Sequence, residues 1–513
     1  MNRPKSRASS AVLLVRGEGP NLEVFLVERA PELRFFGGYW ALPGGVRGPE
    51  DGEDGPNGDD TDPLRRCAVR EMFEETGVLL DPSLRSSLNP QKRESVRAAL
   101  LDAERAQTAS PWGELGADPA CPELRNVCRI KTPPFTPVRY DTVFVLACLP
   151  EGENPTIIDG ELVAGQWWRP EEALQSWRQG TIRIVPPVLI LLEHLKRSAS
   201  ESKVLDHFVE TMAATADGYA NGRLHQVRFS PGIVLAPVAT PTLPPATTTN
   251  CLLIGEERLW ILDPATPDES EQERLFALIE ELCAEGRELG GIAVTHHHPD
   301  HVGAVVATSK RFDLGVRAHP KTLERLPSGF KPGEPMRDGD RISLGRSPDG
   351  QEGWELIAQF TPGHDQGHLA FRESRYHSVL VGDMLSTVST IVIDPPEGHL
   401  RTYLQSLEKL LAEPMDVLYP SHGPAAPDGH RLVRRYLRHR AQRETALLKA
   451  VQESPGTAKD FVPTVYWDTD KRLYGLAERS LVAGLEKLEE DGKVRRLDGD
   501  RFEVTETGSQ EVT

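Results

Sequence analysis

Short apolar runs alternate with amphipathic stretches along the chain, and this alternation predicts a multidomain α/β protein. Apolar runs of strand length lie at 11–15, 249–255, 259–263 and 290–294. The pattern predicts helices over 65–78, 94–106, 430–443 and around 481–488. With 513 residues, the chain exceeds what one core holds and has room for about three domains of roughly 150 residues.

The loop after the run at 290–294 concentrates side chains that bind metals. Four strong ligands lie within six residues: His296, His298, Asp300 and His301. Alternation along an extended chain sends His296 and His298 to one side, and the turn at Pro299 re-aims the other two. Imidazole and carboxylate suit Zn²⁺, and a catalytic site leaves one position open for water. Two ligand pairs on one loop can therefore serve two cations that activate water.

Further candidate ligands stand where later strands would end: His364 in Thr-Pro-Gly-His, Asp383 in Val-Gly-Asp and His422 in Ser-His-Gly. The ordered motifs across about 225–430 resemble the metallo-β-lactamase superfamily, which implies an αββα sandwich with two zinc ions. The resemblance implies one metal on His296, His298 and His364, and a second metal on Asp300, His301 and His422, with Asp383 bridging. The alternative is a histidine-rich surface loop with scattered core histidines, because such a composition alone means little.

Two positions depart from that family pattern. His297 falls outside it, and Asp263-Pro264-Ala265 takes the place of the family's Asp-Thr-Gly.

A second candidate site lies near the N-terminus, in the helix predicted over 65–78. Glu71, Glu74 and Glu75 stand at i, i+3 and i+4, so three carboxylates gather on one face, and Gly77 is a natural end for the helix. Like charges packed this closely are costly unless a cation sits among them. Mg²⁺ or Mn²⁺ fits, since these ions favour carboxylate oxygens and are commonly shared with substrate phosphates.

The run Arg70-Glu71-x-x-Glu74-Glu75-x-Gly77 resembles the Nudix box of an α/β/α family that hydrolyses nucleoside diphosphates linked to another group. The resemblance implies that Glu71, Glu74 and Glu75 hold the metal, and that Arg70 orients a glutamate by a salt bridge. The family's glycine and first glutamate would fall at Pro56 and Asp62. The acidic segment 47–61 therefore reads as an insertion, with Gly45 as the displaced glycine, or as a flexible solvated loop.

Two further segments, Phe73–Leu80 and Thr136–Phe144, are similar to the type 19 Nudix group, which includes coenzyme A diphosphatases. This resemblance spans roughly 8–200. Residues 82–134 between the segments would be an insertion, with its helix near 94–106. A structural cap and a role in specificity are equally open for it.

The C-terminal region, 431–513, carries 16 Lys+Arg against 15 Asp+Glu, although the whole chain has a net charge of −18. The acidic total argues against a nucleic-acid coat over the whole protein. Helices followed by a two-stranded ribbon suggest a winged helix, similar to the tail of the β-lactamase-like protein 2 clade, in which some members cleave single-stranded RNA. Arg434, Arg435 and Arg438 on the first helix could track a phosphate backbone or form a solvated face.

The expected domains are a Nudix domain at 8–200, a linker at 201–230, a metallo-β-lactamase domain at 231–430 and a winged-helix domain at 431–513. The scattered cysteines, and a first apolar run too short for a signal-peptide core, predict a cytoplasmic protein with no membrane partner.

The sequence predicts a bifunctional metal-dependent hydrolase. Catalysis is expected to depend on Asp300 in the middle domain, and on Glu74 and Arg70 in the first domain. The middle domain would cleave a phosphodiester or a (thio)ester, and the first domain a nucleotide diphosphate or coenzyme A-like substrate. Single-stranded RNA is a candidate partner, and the oligomeric state stays open. Alternatively, the first domain is a catalytically weak nucleotide-binding module.

Overall fold

A computed structural model describes residues 6–33, 36–54, 60–106, 108, 110–112, 124–133, 135–136 and 138–510. Pro56, Cys121 and Pro137, which the sequence patterns involve, lie outside the described residues. The chain divides into two compact units, Met1–Pro231 (unit 1) and Gly232–Thr513 (unit 2). In the described part of the chain, no helix is both long enough and apolar enough to cross a bilayer.

Unit 1 is built on one mixed sheet. Its strands are β1 (Arg7–Arg16), β2 (Glu23–Arg29), β3 (Tyr39–Ala41), β4 (Gly44–Val46), β5 (Arg125–Lys131), β6 (Tyr140–Cys148), β7 (Leu162–Trp168) and β8 (Arg183–Ile184). Its helices are α1 (Thr61–Thr76), α2 (Pro82–Ser87), α3 (Pro90–Ala106), α4 (Pro170–Arg178), α5 (Pro186–Ser198) and α6 (Val204–Ala220). The sheet order is β5-β6-β1-β2-β3-β8, with β4 paired to β1 and β7 paired to β2.

Alternation along β1 explains the layered arrangement of unit 1. Val12 and Leu14 pack into a core with α1, whereas Leu13 and Val15 pack into a second core with α4 and α5. Because successive side chains of a strand point to opposite faces, one central strand supports helices on both sides. The result is the α/β/α sandwich that the sequence predicts.

The segment predicted as a linker, 201–230, is largely helical instead. The helix α6 occupies most of it, and Phe208 and Met212 are fully buried in the core that α5 also lines. These apolar positions recur at helical spacing within an otherwise polar stretch, so the polar composition of the segment did not reveal that it forms a packed helix. This part of the segment therefore belongs to unit 1 and is not an open linker.

His194 links α5 to α6 and is expected to make the stability of unit 1 depend on pH. Its Nδ1 lies 3.1 Å from Thr211 Oγ1 and its Nε2 lies 3.3 Å from Thr215 Oγ1. Burial, assisted by the nearby charges of Arg197 and Arg223, lowers the pKa of His194 to about 4. An unfolded histidine, with a pKa of about 6.5, binds more protons than the folded one between these two values.

Unit 1 should therefore lose up to about 2 kcal/mol of stability as the pH falls from 7 to 5, because each unit of pKa difference is worth about 1.4 kcal/mol. Hydrogen exchange of the α5 and α6 amides, corrected for intrinsic rates, measures this loss. His194→Gln keeps polar contacts to the two threonines but cannot titrate, so it should flatten the dependence. An equal loss in the variant would show that another group is responsible.

Unit 2 contains two sheets and a C-terminal ribbon. Its strands are β9 (Ile233–Ala239), β10 (Thr248–Ile254), β11 (Arg258–Leu262), β12 (Glu288–Ala293), β13 (Gly315–Arg317), β14 (Lys331–Pro332), β15 (Arg341–Gly345), β16 (Trp354–Phe360), β17 (Leu369–Glu373), β18 (Val379–Gly382), β19 (Leu418–Pro420), β20 (Val494–Leu497) and β21 (Arg501–Val504). Its helices are α7 (Glu269–Ala284), α8 (Pro299–Val302), α9 (Val305–Phe312), α10 (Pro320–Leu323), α11 (Leu400–Leu411), α12 (Gly429–Glu453), α13 (Ala458–Val465), α14 (Tyr474–Glu490) and α15 (Glu506–Gln510).

The two large sheets have the orders β14-β13-β12-β11-β10-β9 and β15-β16-β17-β18-β19. The predicted strands at 249–255 and 259–263 are β10 and β11, which pair antiparallel with Leu252 opposite Leu262. The candidate ligands and their supporting residues lie in the loops that follow β11, β12, β16, β18 and β19. The ligand atoms of several of these loops lie within 4.8 Å of one another, so the loops lie side by side.

The long helix α12 is shared between two hydrophobic cores. Its N-terminal half buries Leu432 and Val433 with residues of β18 and α11, and its C-terminal half buries Leu447, Leu448 and Val451 with α13 and α14. The ribbon of β20 and β21 closes the second core. Because a continuous helix spans both cores, the division into compact units places no boundary near residue 430.

Candidate metal centres

Several loops of unit 2 deliver the predicted ligands to one place. His296 and His298 follow β12, and Asp300 and His301 lie in the short helix α8. His364 follows β16, Asp383 comes directly after β18, and His422 comes shortly after β19.

The first three predicted ligands form a compact group. His298 Nδ1 lies 3.0 Å from His296 Nε2 and 3.1 Å from His364 Nε2. These separations match neighbouring corners of a zinc polyhedron, in which each nitrogen is about 2.0–2.1 Å from the metal. The three nitrogens can therefore hold one ion between them.

The second predicted group is slightly more open. Asp300 Oδ2 lies 3.5 Å from His422 Nε2, and Asp300 Oδ1 lies 3.9 Å from His301 Nε2. One ligand atom from each of Asp300, His301 and His422 can be chosen so that all lie within 4.8 Å of one another.

Asp383 stands between the two groups and faces both of them. Its Oδ2 lies 3.6 Å from His364 Nε2, whereas its Oδ1 lies 3.5 Å from His301 Nε2 and 3.3 Å from His422 Nε2. Both His301 Nε2 and Asp383 Oδ1 are buried atoms without a hydrogen-bond partner. Orphaned buried polar atoms are costly, so this pair fits a bound cation better than an empty polar pocket.

The remote nitrogen of each of three histidines contacts an oxygen acceptor. His301 Nδ1 lies 3.0 Å from Asp263 Oδ2, His364 Nδ1 lies 3.0 Å from Val392 O, and His422 Nδ1 lies 3.0 Å from Thr248 O. Carbonyl and carboxylate oxygens only accept, so Nδ1 carries the proton in each bond. When such a ring is neutral, its Nε2 atom is left as the free ligand atom.

Thr295 fixes the tautomer of His296 in the same way. Its hydroxyl donates to Asp263 Oδ2 at 2.7 Å and lies 3.0 Å from His296 Nδ1. Because the single hydroxyl proton goes to the carboxylate, the oxygen accepts from His296 Nδ1–H.

The electrostatics favour neutral imidazole in the first group. Burial, reinforced by the neighbouring histidines, lowers the pKa of His296 well below its ordinary value. Burial likewise lowers the pKa of His364 to about 4. Burial alone would raise the pKa of Asp383, but His422 and His301 outweigh it and hold that pKa well below the usual range. In the first group, an ionised carboxylate beside neutral imidazoles is the donor set that a divalent cation requires. In the second group, Asp383 outweighs the effect of burial and raises the pKa of His301 and of His422, so a cation there must displace protons.

Two supporting residues escaped the sequence analysis. Asp263 ends a predicted strand and opens the Asp-Pro-Ala segment, which gave it no predicted role, and it contacts both Thr295 and His301. His368, fully buried, accepts the backbone N–H of Asp383 at 3.2 Å, and its Nδ1 lies 2.9 Å from Thr361 Oγ1. The spacing of His368 four residues after His364 was the available signal.

His297 turns away from the three-histidine group. Its Nδ1 lies 2.7 Å from Asp365 Oδ2 and its Nε2 lies 3.6 Å from Glu397 Oε1. The prediction left this residue outside the two metal-binding sets, and its side chain lies in this separate acidic cluster.

In unit 1, the helix α1 brings the three glutamates to one face and ends as predicted, with Gly77 at φ 76°. The buried Arg70 lies among them: its Nη1 is 2.9 Å from Glu71 Oε1 and 3.2 Å from Glu74 Oε2. Gly44 N–H donates to Glu75 Oε2 at 2.8 Å. Burial, followed by repulsion from Glu71, raises the pKa of Glu75 well above its ordinary value. A cation among these carboxylates would relieve that repulsion.

Within the described residues, the compact groups of possible metal ligands all lie in unit 2. The glutamates of α1 are turned towards Arg70 and Gly44 instead. Their role as metal ligands stays a prediction.

In the first half of the Nudix-like motif, the acidic residue that contacts Arg70 is not Asp62, the position obtained by counting back from Arg70. Asp51 binds the guanidinium of Arg70 in a bidentate manner, at 2.9 Å to Nε and 2.9 Å to Nη2. Asp62 is exposed in the first turn of α1. Asp51 lies six residues after Gly45, as the family's first glutamate follows its glycine, so the insertion falls between Asp51 and α1. The salt bridge expected of Arg70 is therefore made chiefly with Asp51.

The inserted helix α3 contacts the C-terminal end of α1. The buried Arg97 donates from Nε to Glu74 O at 2.9 Å and from Nη2 to Glu75 O at 2.6 Å. A guanidinium at the C-terminus of a helix satisfies carbonyls that lack helical partners. The insertion thus acts as a structural cap on the helix that carries the glutamates.

Comparisons with known proteins agree with this geometry. Residues 244–422 match the metallo-beta-lactamase superfamily, residues 50–195 match the NUDT19 Nudix domain, and residues 457–501 match the beta-lactamase associated winged helix domain. The beta-lactamase-like protein 2 homolog of Drosophila melanogaster is 29% identical over 262 residues, covering 48% of this chain and 84% of the fly protein.

One further similar protein and one solved structure match different parts of the chain. The atrochrysone carboxyl ACP thioesterase nsrC of Aspergillus novofumigatus is 27% identical over 220 residues, which cover 40% of this chain and 63% of that protein. The crystal structure of a NUDIX hydrolase from Alicyclobacillus acidocaldarius is 30% identical and covers 39% of this chain and 96% of its own, with a TM-score of 0.32. The chain is thus a hydrolase that carries a Nudix domain of the NUDT19 type, a metallo-β-lactamase domain and a C-terminal β-lactamase-associated winged helix.

Proposed function

We propose that unit 2 is a binuclear zinc hydrolase whose ligands are the two predicted groups with Asp383 between them. The observation that carries this proposal is the pair of buried, partnerless atoms His301 Nε2 and Asp383 Oδ1, 3.5 Å apart. Nitrogen and carboxylate donors suit zinc, whereas Mg²⁺ and Ca²⁺ favour oxygen alone. Metal analysis of the purified full chain tests the proposal directly, and two zinc ions per chain are expected.

The residues around these groups have separable tasks. When bound, two cations would supply a Lewis acid for the scissile bond and lower the pKa of water. In His301, His364 and His422, Nδ1–H donates to a fixed oxygen acceptor, so the Nε2 atom of each ring is available to bind a metal. The N–H of Asp383, held by His368, fixes the carboxylate that serves both groups.

For the bond that is cleaved, we propose a thioester. The support comes from the similarity to an Aspergillus novofumigatus protein described as an acyl carrier protein thioesterase. The ligand set itself does not distinguish a thioester from a phosphodiester, because the metal chemistry is common to both.

A second candidate substrate, single-stranded RNA, is favoured by one surface of α12. Arg431, Arg434, Arg435 and Arg438 are exposed at helical spacing on one face. Within the described residues, their side chains make no ion pair with an acidic side chain. A row of unpaired cations on an acidic chain suits a phosphate backbone.

The triple charge reversal of Arg434, Arg435 and Arg438 to glutamate separates the two substrates. If the substrate is RNA, the variant should bind single-stranded RNA more weakly, and the logarithmic salt slope should fall by about 0.7 for each phosphate that is no longer neutralised. Hydrolysis of an acyl thioester should be nearly unchanged, since a neutral bond needs no cationic helix. Fluorescence anisotropy with a labelled RNA, at several salt concentrations, measures the slope. Unchanged RNA affinity and slope would exclude this face from RNA binding.

For the Nudix domain, we propose Mg²⁺- or Mn²⁺-dependent cleavage of a nucleotide diphosphate or of the diphosphate of coenzyme A. The support is the pairing of Arg70 with Asp51, which restores the missing half of the motif. Water would attack one phosphorus of the diphosphate, and the bond from that phosphorus to the bridging oxygen would break, so that the other phosphate leaves. Glu71, Glu74 and Glu75 would hold the cation, and Arg70 would fix Glu74. A catalytically weak nucleotide-binding module is the alternative. A panel of nucleotide and coenzyme A substrates tests the choice.

A further inference from the structure

The segment that follows Asp383 ties together two of the proposed metal ligands. This rim segment, residues 384–399, connects β18 to α11 without forming a helix or a strand. Its Val392 carbonyl accepts His364 Nδ1–H at 3.0 Å, and its Thr387 N–H donates to His422 O at 3.2 Å. Irregular backbone holds its position only through such contacts, so whatever anchors the rim segment also anchors these ligands.

Two buried side chains of α12 anchor the rim segment from the opposite side. Tyr436 Oη accepts the Ser386 N–H at 2.9 Å and lies 2.9 Å from Ser386 O and 2.7 Å from Ser389 O, to one of which it donates. Arg440 donates from Nη2 to Ile391 O. Tyr436 is 3% exposed and Arg440 is 7% exposed, which is rare for an arginine.

Arg440 is held in place by an aromatic ring that also touches the rim segment. Its guanidinium lies 5.2 Å from the centroid of the Tyr403 ring, and Tyr403 Oη donates to Met384 O at 2.7 Å. Packing and a cation–π contact therefore aim this side chain at the rim segment, and no acidic side chain among the described residues forms an ion pair with it.

The contacts form one connected path from α12 to a metal ligand. Arg440 binds the carbonyl of Ile391, and the next carbonyl, of Val392, binds His364. We propose that Tyr436 and Arg440 are positioning residues of the metal centre, which hold Val392 against His364 and so fix the ring and tautomer of that ligand. This inference rests on the proposed role of His364.

The helix α12 also belongs to the C-terminal core, so the path has a second support. Further along α12 than Tyr436 and Arg440, the side chains of Leu447, Leu448 and Val451 are buried among α13 and α14. The C-terminal core thereby immobilises the helix whose other half anchors the rim segment. Partners that orient a ligating histidine typically change metal affinity by about 10–100-fold when removed.

Contacts from α14 to the rim segment are weaker. Arg479 binds Asp394 at 3.1 Å and Glu490 binds His399 at 2.8 Å, but all four side chains are largely exposed. Exposed ion pairs contribute little, so the buried contacts of α12 are expected to dominate.

The test measures metal binding by the full-length protein without relying on turnover. Arg440→Met removes the donor to Ile391 and keeps an apolar stem, and the matched control Lys449→Met removes an exposed cation from the same helix. Titration of the metal-free protein with Co²⁺, followed by its visible absorption, reports affinity and ligand geometry together. Arg440→Met should bind Co²⁺ up to about 10-fold more weakly with an altered spectrum, because it loosens the Val392 carbonyl without removing it, and Lys449→Met should match wild type.

Tyr436→Phe keeps the ring and removes only the hydroxyl contacts. If Arg440→Met does not fold, the Co²⁺ affinity of Tyr436→Phe tests the inference in its place. Arg440→Lys, which keeps the charge, should restore part of the lost affinity. Wild-type Co²⁺ affinity and spectra in the folded Arg440→Met and Tyr436→Phe proteins would overturn the inference alone. Failure of the wild-type protein to bind Co²⁺ or Zn²⁺ would overturn the proposed function as well.

Discussion

Replacing Asp383 by alanine is expected to abolish hydrolysis by unit 2 and to release both metal ions. Asp383 Oδ2 lies 3.6 Å from a nitrogen of the first group, and Oδ1 lies 3.3 and 3.5 Å from nitrogens of the second. Removal of the carboxylate takes a ligand from each ion and leaves the two sets of histidines without negative charge between them. We expect kcat/KM to fall by more than about 100-fold, since loss of an outer partner alone costs about 10–100-fold.

Metal analysis after gel filtration distinguishes this shared ligand from a ligand of one ion. His296→Ala removes a donor from the first group only, so zinc should fall from two ions per chain towards one. Glu352→Ala, a change at an exposed surface carboxylate, should keep both ions and full activity. A preparation of Asp383→Ala that retains two zinc ions and turns over normally would refute the bridging role.

The strand-end ligands of unit 2 could be predicted because they follow apolar runs. Val379–Gly382 is continuous and buried, so Asp383 had to emerge at the end of a strand, and the same reasoning applies to His296 after β12. Strand ends that face one edge of a sandwich bring distant residues together, as the side-chain distances show for these residues. The division of the ligands into two metal-binding sets is what the resemblance to the metallo-β-lactamase superfamily implies, and it stays a prediction.

The supporting residues could not be predicted in the same way, because their function exists only in three dimensions. His368 acts by accepting a backbone N–H from Asp383, fifteen residues away in sequence. Gly382, at φ 54°, makes this approach possible, since a Cβ there would lie 2.5 Å from His368 Nε2. The spacing of four residues from His364 draws attention to His368, but it does not show whether the ring binds a backbone amide or a metal.

The Nudix motif shows a different limit of sequence reasoning. Counting back from Arg70 assumes a constant loop length, and the insertion breaks that assumption, so the count reaches Asp62 instead of Asp51. Counting forward from Gly45 reaches Asp51, the residue that binds Arg70. Only the bidentate contact to Arg70, with two bonds of 2.9 Å, decides between the two directions.

Glu74→Gln is expected to reduce Mg²⁺- or Mn²⁺-dependent diphosphate cleavage by about 100-fold or more. Glutamine keeps the shape of the side chain but removes the charge that a hard cation needs. It also removes the ionic partner that lies 3.2 Å from Arg70 Nη1. Initial rates at several Mn²⁺ concentrations measure the effect. Zinc content and thioester hydrolysis by unit 2 should not change, because the two sites use separate ligands.

The pair Asp51→Asn and Asp62→Asn then tests whether the displaced half of the motif works. Asp51 is fully buried against Arg70, and neutralising one partner of a buried ion pair leaves the other charge poorly compensated, at a cost of about 3–5 kcal/mol. Asp51→Asn should therefore lower diphosphate cleavage strongly, whereas the exposed Asp62→Asn should leave it intact. Asp51→Glu, which keeps the charge, should recover part of the activity and separates a catalytic loss from misfolding. Equal activity in Asp51→Asn and Asp62→Asn would refute the assignment of Asp51 to the motif. If the wild-type protein binds the diphosphates but cleaves none of them, the first domain is better described as a nucleotide-binding module.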